Sequence, residues 1–107
     1  MLAKKYNIIW SPRALETFGK NLEYLEHEWN DQVIETFLDA TDHLLNIIAS
    51  SPKGYPIIHK KKKIRKCNVV KQLSLIYRIK NNNVELISFF NNYQDPSKLQ
   101  KIISEAK

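Results

Sequence analysis

The hydrophobic period of this 107-residue chain changes once, near residue 50. Before that point apolar residues recur every three or four positions, as on one face of a helix. After it they recur every second position, as on one face of a strand. That switch places helices ahead of a sheet and points to an α+β fold rather than a bundle or a sandwich.

Tyr6, Ile8 and Trp10 alternate with Asn7, Ile9 and Ser11 and predict a short N-terminal strand. Ser11-Pro12 then predicts a helix start, because a serine hydroxyl caps free backbone N–H groups and proline at the first helical position has no N–H to leave unpaired. The stripe Leu15, Phe18, Leu22, Leu25, Trp29 continues that helix. Asn30-Asp31 breaks it and caps a second one, whose face is Val33, Ile34, Phe37, Leu38, Thr41, Leu44, Leu45 and Ile48. The pair is expected to form an antiparallel hairpin with Trp10, Phe18, Trp29 and Phe37 in the core. Ser50 to Pro56 holds two prolines and a glycine and reads as a loop. Ile64–Val70, Leu73–Ile79 and Val84–Phe90 then predict three strands in an antiparallel meander, the last two joined by a turn at Lys80 to Asn83. Asp95-Pro96 opens a short C-terminal helix through Leu99, Ile102 and Ile103.

Several classes of function drop out at this level. Cys67 is the only cysteine, so an internal disulfide is excluded, and a reducing, cytoplasmic setting is expected. One cysteine and three scattered histidines, His27, His43 and His59, give no metal-ligand spacing, and no cofactor is expected. The start, Met1 to Lys5, lacks the apolar stretch of a signal peptide, and no apolar run approaches the length of a membrane span.

Charge is the second strong feature. Lys60, Lys61, Lys62, Lys63, Arg65 and Lys66 crowd into seven positions and equal the whole formal net charge of +6. Residues 11–50 hold eight acids against Arg13 and Lys20, whereas residues 51–107 hold thirteen Lys and Arg against Glu85, Asp95 and Glu105. Such a dipolar domain presents its basic half to an anionic partner, either nucleic acid or an acidic protein segment; the bland alternative is a solvated loop beside a strand.

The order strand, helix, helix, three strands resembles the RelE/ParE superfamily of toxins from type II toxin-antitoxin, or plasmid stabilisation, systems. The likeness spans nearly all of residues 1–107, as one toxin domain. It is carried by Ile9-Trp10-Ser11-Pro12 with Ala14, by Ser51-Pro52 and Gly54, by Leu75-Ile76-Tyr77-Arg78-Ile79, by Val84-Glu85-Leu86-Ile87, and by Phe90-Asn91-Asn92-Tyr93-Gln94-Asp95-Pro96.

The resemblance implies a growth-inhibiting toxin neutralised by a cognate antitoxin. In the family's ribonuclease branch, the open face of the sheet carries several Lys and Arg and a late general acid or base, which cleave messenger RNA on the ribosome. Aligned with that branch, Ser74 and Gln94 fall where two arginines are expected. Two lysines of the preceding strand correspond to Arg65 and Cys67. The incomplete set implies the other branch, which poisons DNA gyrase by binding. A ribosome-dependent mRNA endoribonuclease using Arg65, Arg78 and Tyr93 is the enzymatic alternative, and a non-toxic relative that only binds a partner is the third.

Candidate contacts to the target or to nucleic acid are Lys60, Lys61, Lys62, Lys63, Arg65, Lys66, Arg78, Asn92 and Tyr93. Candidate anchors for the antitoxin are Ile76, Ile87 and Phe89 on the sheet's second face, unless they lie under the C-terminal helix. His59 is the histidine nearest the basic stretch, and Cys67 reads as an inert strand residue.

Overall fold

A computed structural model describes residues 5–28 and 30–107, Glu28 by its backbone alone. Trp29, expected in the core, and Met1 to Lys4 lie outside the described residues.

Strand β1 (Asn7–Trp10) leads into helix α1 (Pro12–Glu28), and helix α2 (Asp31–Ser50) returns beside it. Both starts follow from local chemistry. The Ser11 hydroxyl accepts from the Ala14 amide at 3.0 Å, and the Asn30 side chain accepts from the Val33 amide at 3.0 Å. Ser11 also donates to the Ile87 carbonyl at 3.0 Å, so the cap that starts α1 ties it to the sheet.

After a short 3-10 turn at Pro52–Gly54 come β2 (Ile57–His59), β3 (Ile64–Val70), β4 (Leu73–Lys80), β5 (Asn83–Asn91) and α3 (Pro96–Glu105). The expected meander is present as β3, β4 and β5, all antiparallel. It is the centre of a larger sheet in the order β1-β5-β4-β3-β2, with β1 parallel to β5. Strand β2 was not expected. Three residues between Pro56 and the lysines are too few to show a period, and their pairing with β3 is irregular.

Helices α1 and α2 cover one face of the sheet and α3 the other. The helix-side core gathers Phe37, Leu25, Ile48, Leu75, Tyr77, Leu86 and Phe89, with Trp10 and Phe18 packed against it. The Phe18 ring lies 5.2 Å from Phe89 and 5.4 Å from Phe37 between centroids, the spacing of favourable aromatic pairs. The smaller cluster under α3 joins Ile64, Ile76, Ile87, Phe90 and Ile103. Leu15 and Leu38, both assigned to apolar helix faces, are instead 59% and 43% exposed; Ala14 points inward beside Leu15, and Phe37 is buried as expected.

One irregularity corrects the expected faces. Ile76 pairs with Ser88 and Tyr77 with Leu86, leaving Ile87 as an extra residue in β5. Such a bulge shifts side-chain alternation by one position. Ile87 therefore faces α3, whereas Phe89 joins the helix-side core. Thr17 of α1 supports the bulge by accepting from the Phe89 amide at 2.9 Å.

Candidate functional site

The lysine run forms the tip of the hairpin between β2 and β3. Lys60 to Lys63 make the turn, with Lys63 in the left-handed region at φ 57°, and β3 begins at Ile64. Because β3 runs antiparallel to β4, the second tip, Asn81-Asn82 between β4 and β5, lies at the same end of the sheet.

The first turn is fixed by its own side chains. His59 accepts the Lys62 amide on Nδ1 at 3.1 Å, and the Lys63 amide donates to the Lys60 carbonyl at 3.3 Å. The Lys62 ammonium crosses to the end of α3 and donates to the carbonyls of Ile103 and Ser104 at 2.8 and 3.2 Å. A cation at a helix C-terminus meets the negative end of the helix dipole, so Lys62 joins the loop to α3 and is partly spent as a structural contact. Arg13 and Glu105 form an ion pair that ties the same helix to α1.

Arg65 and Arg78, both candidate contacts on neighbouring strands, lie on opposite faces of the sheet. Arg65 pairs across the ladder with Tyr77, a helix-side residue, and donates to the carbonyls of Lys53 and Tyr55 at 3.1 and 2.6 Å. Arg78 lies on the α3 side, where its Nε donates to Glu85 at 2.8 Å and its side chain is 12% exposed. Lys66, paired with Ile76, also lies on the α3 side.

The three residues expected to anchor an antitoxin are interior. Ile76 is fully buried and Ile87 nearly so, both under α3, and Phe89 is in the opposite core because of the bulge. Asn92 and Tyr93 follow the far end of β5, about 27 Å along that strand from the lysine tips at the usual rise of about 3.4 Å per residue. There the Asn92 side chain accepts from Ser74 at 2.7 Å and donates to the Lys71 carbonyl at 3.0 Å. The Ser74 hydroxyl lies equally close, at 2.7 Å, to the Asn68 side-chain oxygen and shares its one proton between the two, so these residues fasten the β3–β4 turn to the chain after β5. Tyr93 is 61% exposed.

Cys67 is buried, and burial pushes its thiol up to about 12. It stays a protonated thiol near neutrality, the form that is a poor nucleophile. Burial likewise raises Tyr77, whose hydroxyl donates to the Pro52 carbonyl at 2.6 Å and holds the 3-10 turn against the sheet.

The geometry brings together cations that sequence did not connect. One pocket of about 560 Å³ is lined by Lys53, Lys60, Lys63 and Arg65 with Ile57, Ile79 and Asn81. A second, of similar size, is lined by His59, Lys61, Lys62, Lys80 and Lys107, with Arg78 and Ile79. Lys53, Lys80 and Lys107 are widely separated in sequence; only the sheet's topology makes them neighbours of the run.

Comparison with known proteins agrees with the architecture. The sequence profile described as ParE toxin of the type II toxin-antitoxin system, parDE, matches residues 8–96. A chain of the chromosomal ParDE system from P. aeruginosa superimposes with a TM-score of 0.67 at 8% identity, covering 82% of this chain and 97% of that one. YoeB of Staphylococcus aureus, solved as a dimer, gives 0.57 at 19% identity over 83% and 99% of the two chains. A mutant of the E. coli toxin RelE in the free state gives 0.56 at 19% identity over 95% and 94%. No curated protein matches the sequence directly.

Proposed function

Because the chain belongs to the ParE toxin family of type II toxin-antitoxin systems, we propose that it inhibits growth by binding a target such as DNA gyrase, and that a cognate antitoxin neutralises it in the cytoplasm. The observation that carries binding over catalysis is the separation of the three candidate catalytic groups. Arg65 is on the helix side, Arg78 is held by Glu85 on the α3 side, and Tyr93 follows the far end of β5. Cleavage of a phosphodiester needs a proton-transfer group within hydrogen-bond reach of the reacting hydroxyl and a cation beside the same phosphate. No such pair is assembled from Arg65, Arg78 and Tyr93. Binding needs only a fixed charged surface, and the lysine end supplies one.

A cognate antitoxin fits the same picture. Among the structural neighbours are toxin-antitoxin complexes, DinJ-YafQ of E. coli and YoeB-YefM of Staphylococcus aureus.

The test is inducible expression in bacteria lacking the partner, alongside assays of DNA supercoiling by gyrase and of ribosome-bound message with the purified chain. The reading predicts growth arrest, relief by the co-expressed antitoxin, impaired gyrase and intact message. Cleaved message that becomes intact in Arg65→Ala and Arg78→Ala variants would establish the ribonuclease instead. Partner binding without arrest would establish the non-toxic relative.

A further inference from the structure

The two pockets beside Ile79 are lined by nine Lys and Arg side chains and, among the described residues, by no Asp or Glu. Of those nine, Arg78 has a carboxylate partner, Glu85. Lys62 and Arg65 donate to backbone carbonyls, which orders the loop without cancelling its charge. The left-handed Lys63 and the imidazole of His59 complete a turn of fixed shape. Lys60 and Lys61 are therefore held outward on one tip while Lys80 stands exposed beside the other. Cations held in place lose less freedom on meeting a polyanion than cations on a loose tail.

The lining also selects among polyanions. Among the described residues no Phe, Tyr or Trp lines either pocket, and the exposed Tyr93 is at the other end of β5. A single strand binds by stacking its bases on aromatic rings, for which no ring is present here. An acidic peptide needs a central apolar or aromatic anchor, and Ile57 and Ile79 are the only apolar walls offered. A duplex needs neither, because it presents closely and regularly spaced phosphates on its outside.

We propose that this end of the molecule is a duplex-backbone site, which grips the phosphates of double-stranded nucleic acid through Lys60, Lys61 and Lys80 without reading sequence. It goes beyond the target-binding reading by adding a nucleic-acid partner, and rests on that reading only in taking this end of the molecule as the binding end.

The full-length chain is titrated by fluorescence anisotropy with two labelled DNA duplexes of unrelated sequence, a single strand and a Glu-rich peptide, each over a range of salt. Both duplexes should bind with affinities within about twofold of each other, with log affinity falling linearly as log salt rises. Lys60→Gln, Lys61→Gln and Lys80→Gln together should weaken duplex binding at least about tenfold and flatten the salt slope by roughly three charge equivalents. Lys62 and Lys63 are left intact because one caps α3 and the other holds the left-handed turn. A control removes equal charge from elsewhere, with Lys71→Gln, Lys98→Gln and Lys101→Gln, and should stay within about threefold of the parent. Circular dichroism checks that every variant folds. The site is refuted if the duplexes do not bind at low salt, if the control loses as much as the triple variant, or if the single strand or the peptide binds more tightly. Growth arrest is scored separately, so arrest without duplex binding refutes this site alone, and duplex binding without arrest refutes the toxin reading alone.

Discussion

The helix-side core and the lysine end are built on the same strands and obey opposite rules. In the core, Phe37 of α2 and Phe89 of β5 are buried between the helices and the sheet and hold their neighbours by shape. At the end of the sheet, Lys60, Lys61 and Lys80 are exposed, and their value lies in charge that folding leaves free. The core should therefore be sensitive to volume and indifferent to salt. The lysine end should tolerate large changes of side chain and respond to salt at once. The contrast predicts that stability and the proposed binding can be altered separately, with Lys62 and Arg65 at the border because each links the basic loop to the body of the fold.

The largest effect is expected in the core. Phe89→Ala should lower the unfolding free energy by about 3–5 kcal/mol, since the ring meets Trp10, Phe18 and Phe37 and its loss leaves a cavity. Urea unfolding checks this, and a loss below about 1 kcal/mol would mean that the aromatic cluster is not the centre of stability. Next comes the bulge. Thr17→Val removes the acceptor of the Phe89 amide while keeping side-chain size, and should destabilise by about 1–3 kcal/mol. Lys62→Gln belongs to the border and should cost about 0.3–1 kcal/mol, with the loss shrinking in high salt.

The smallest effect concerns Glu105, whose carboxyl the Arg13 side chain holds below its usual range. A depressed folded-state value stabilises above the ordinary carboxylate pKa, and that contribution disappears as pH falls through the depressed value. The melting temperatures of the parent and Glu105→Gln should therefore differ slightly at neutral pH and converge in acid. Divergence in acid would contradict the assigned ion pair.

Much of the core was legible in the sequence because it obeys local rules. Ser11-Pro12, Asn30-Asp31 and Asp95-Pro96 mark the helix starts by capping chemistry, and the left-handed Asn81, at φ 58°, closes the turn anticipated there. The alternation of Leu73, Leu75 and Tyr77 places β4 correctly on the helix side. What could not be read was long-range. The parallel pairing of β1 with β5 joins segments at opposite ends of the chain, and nothing local announces it. The bulge at Ile87 moved Phe89 to the other face, because alternation predicts faces only while the ladder stays regular.

The lysine end divides the same way. Its charge is visible in the sequence, but Lys53, Lys80 and Lys107 join it only through topology. The capping of α3 by Lys62 depends on a helix some forty residues further along the chain. Arg65 and Arg78 fall on opposite faces because they are not cross-strand partners: Arg65 pairs with Tyr77 and Arg78 with Ile64.

The separation of fold from activity is tested most directly by one variant carrying Lys60→Gln, Lys61→Gln and Lys80→Gln. Its melting temperature and its ability to arrest growth when induced without an antitoxin are measured side by side. A melting temperature within about 2 °C of the parent, as when exposed charges are neutralised, is expected together with loss of growth arrest. Full arrest by a variant that is folded and equally abundant would contradict that separation.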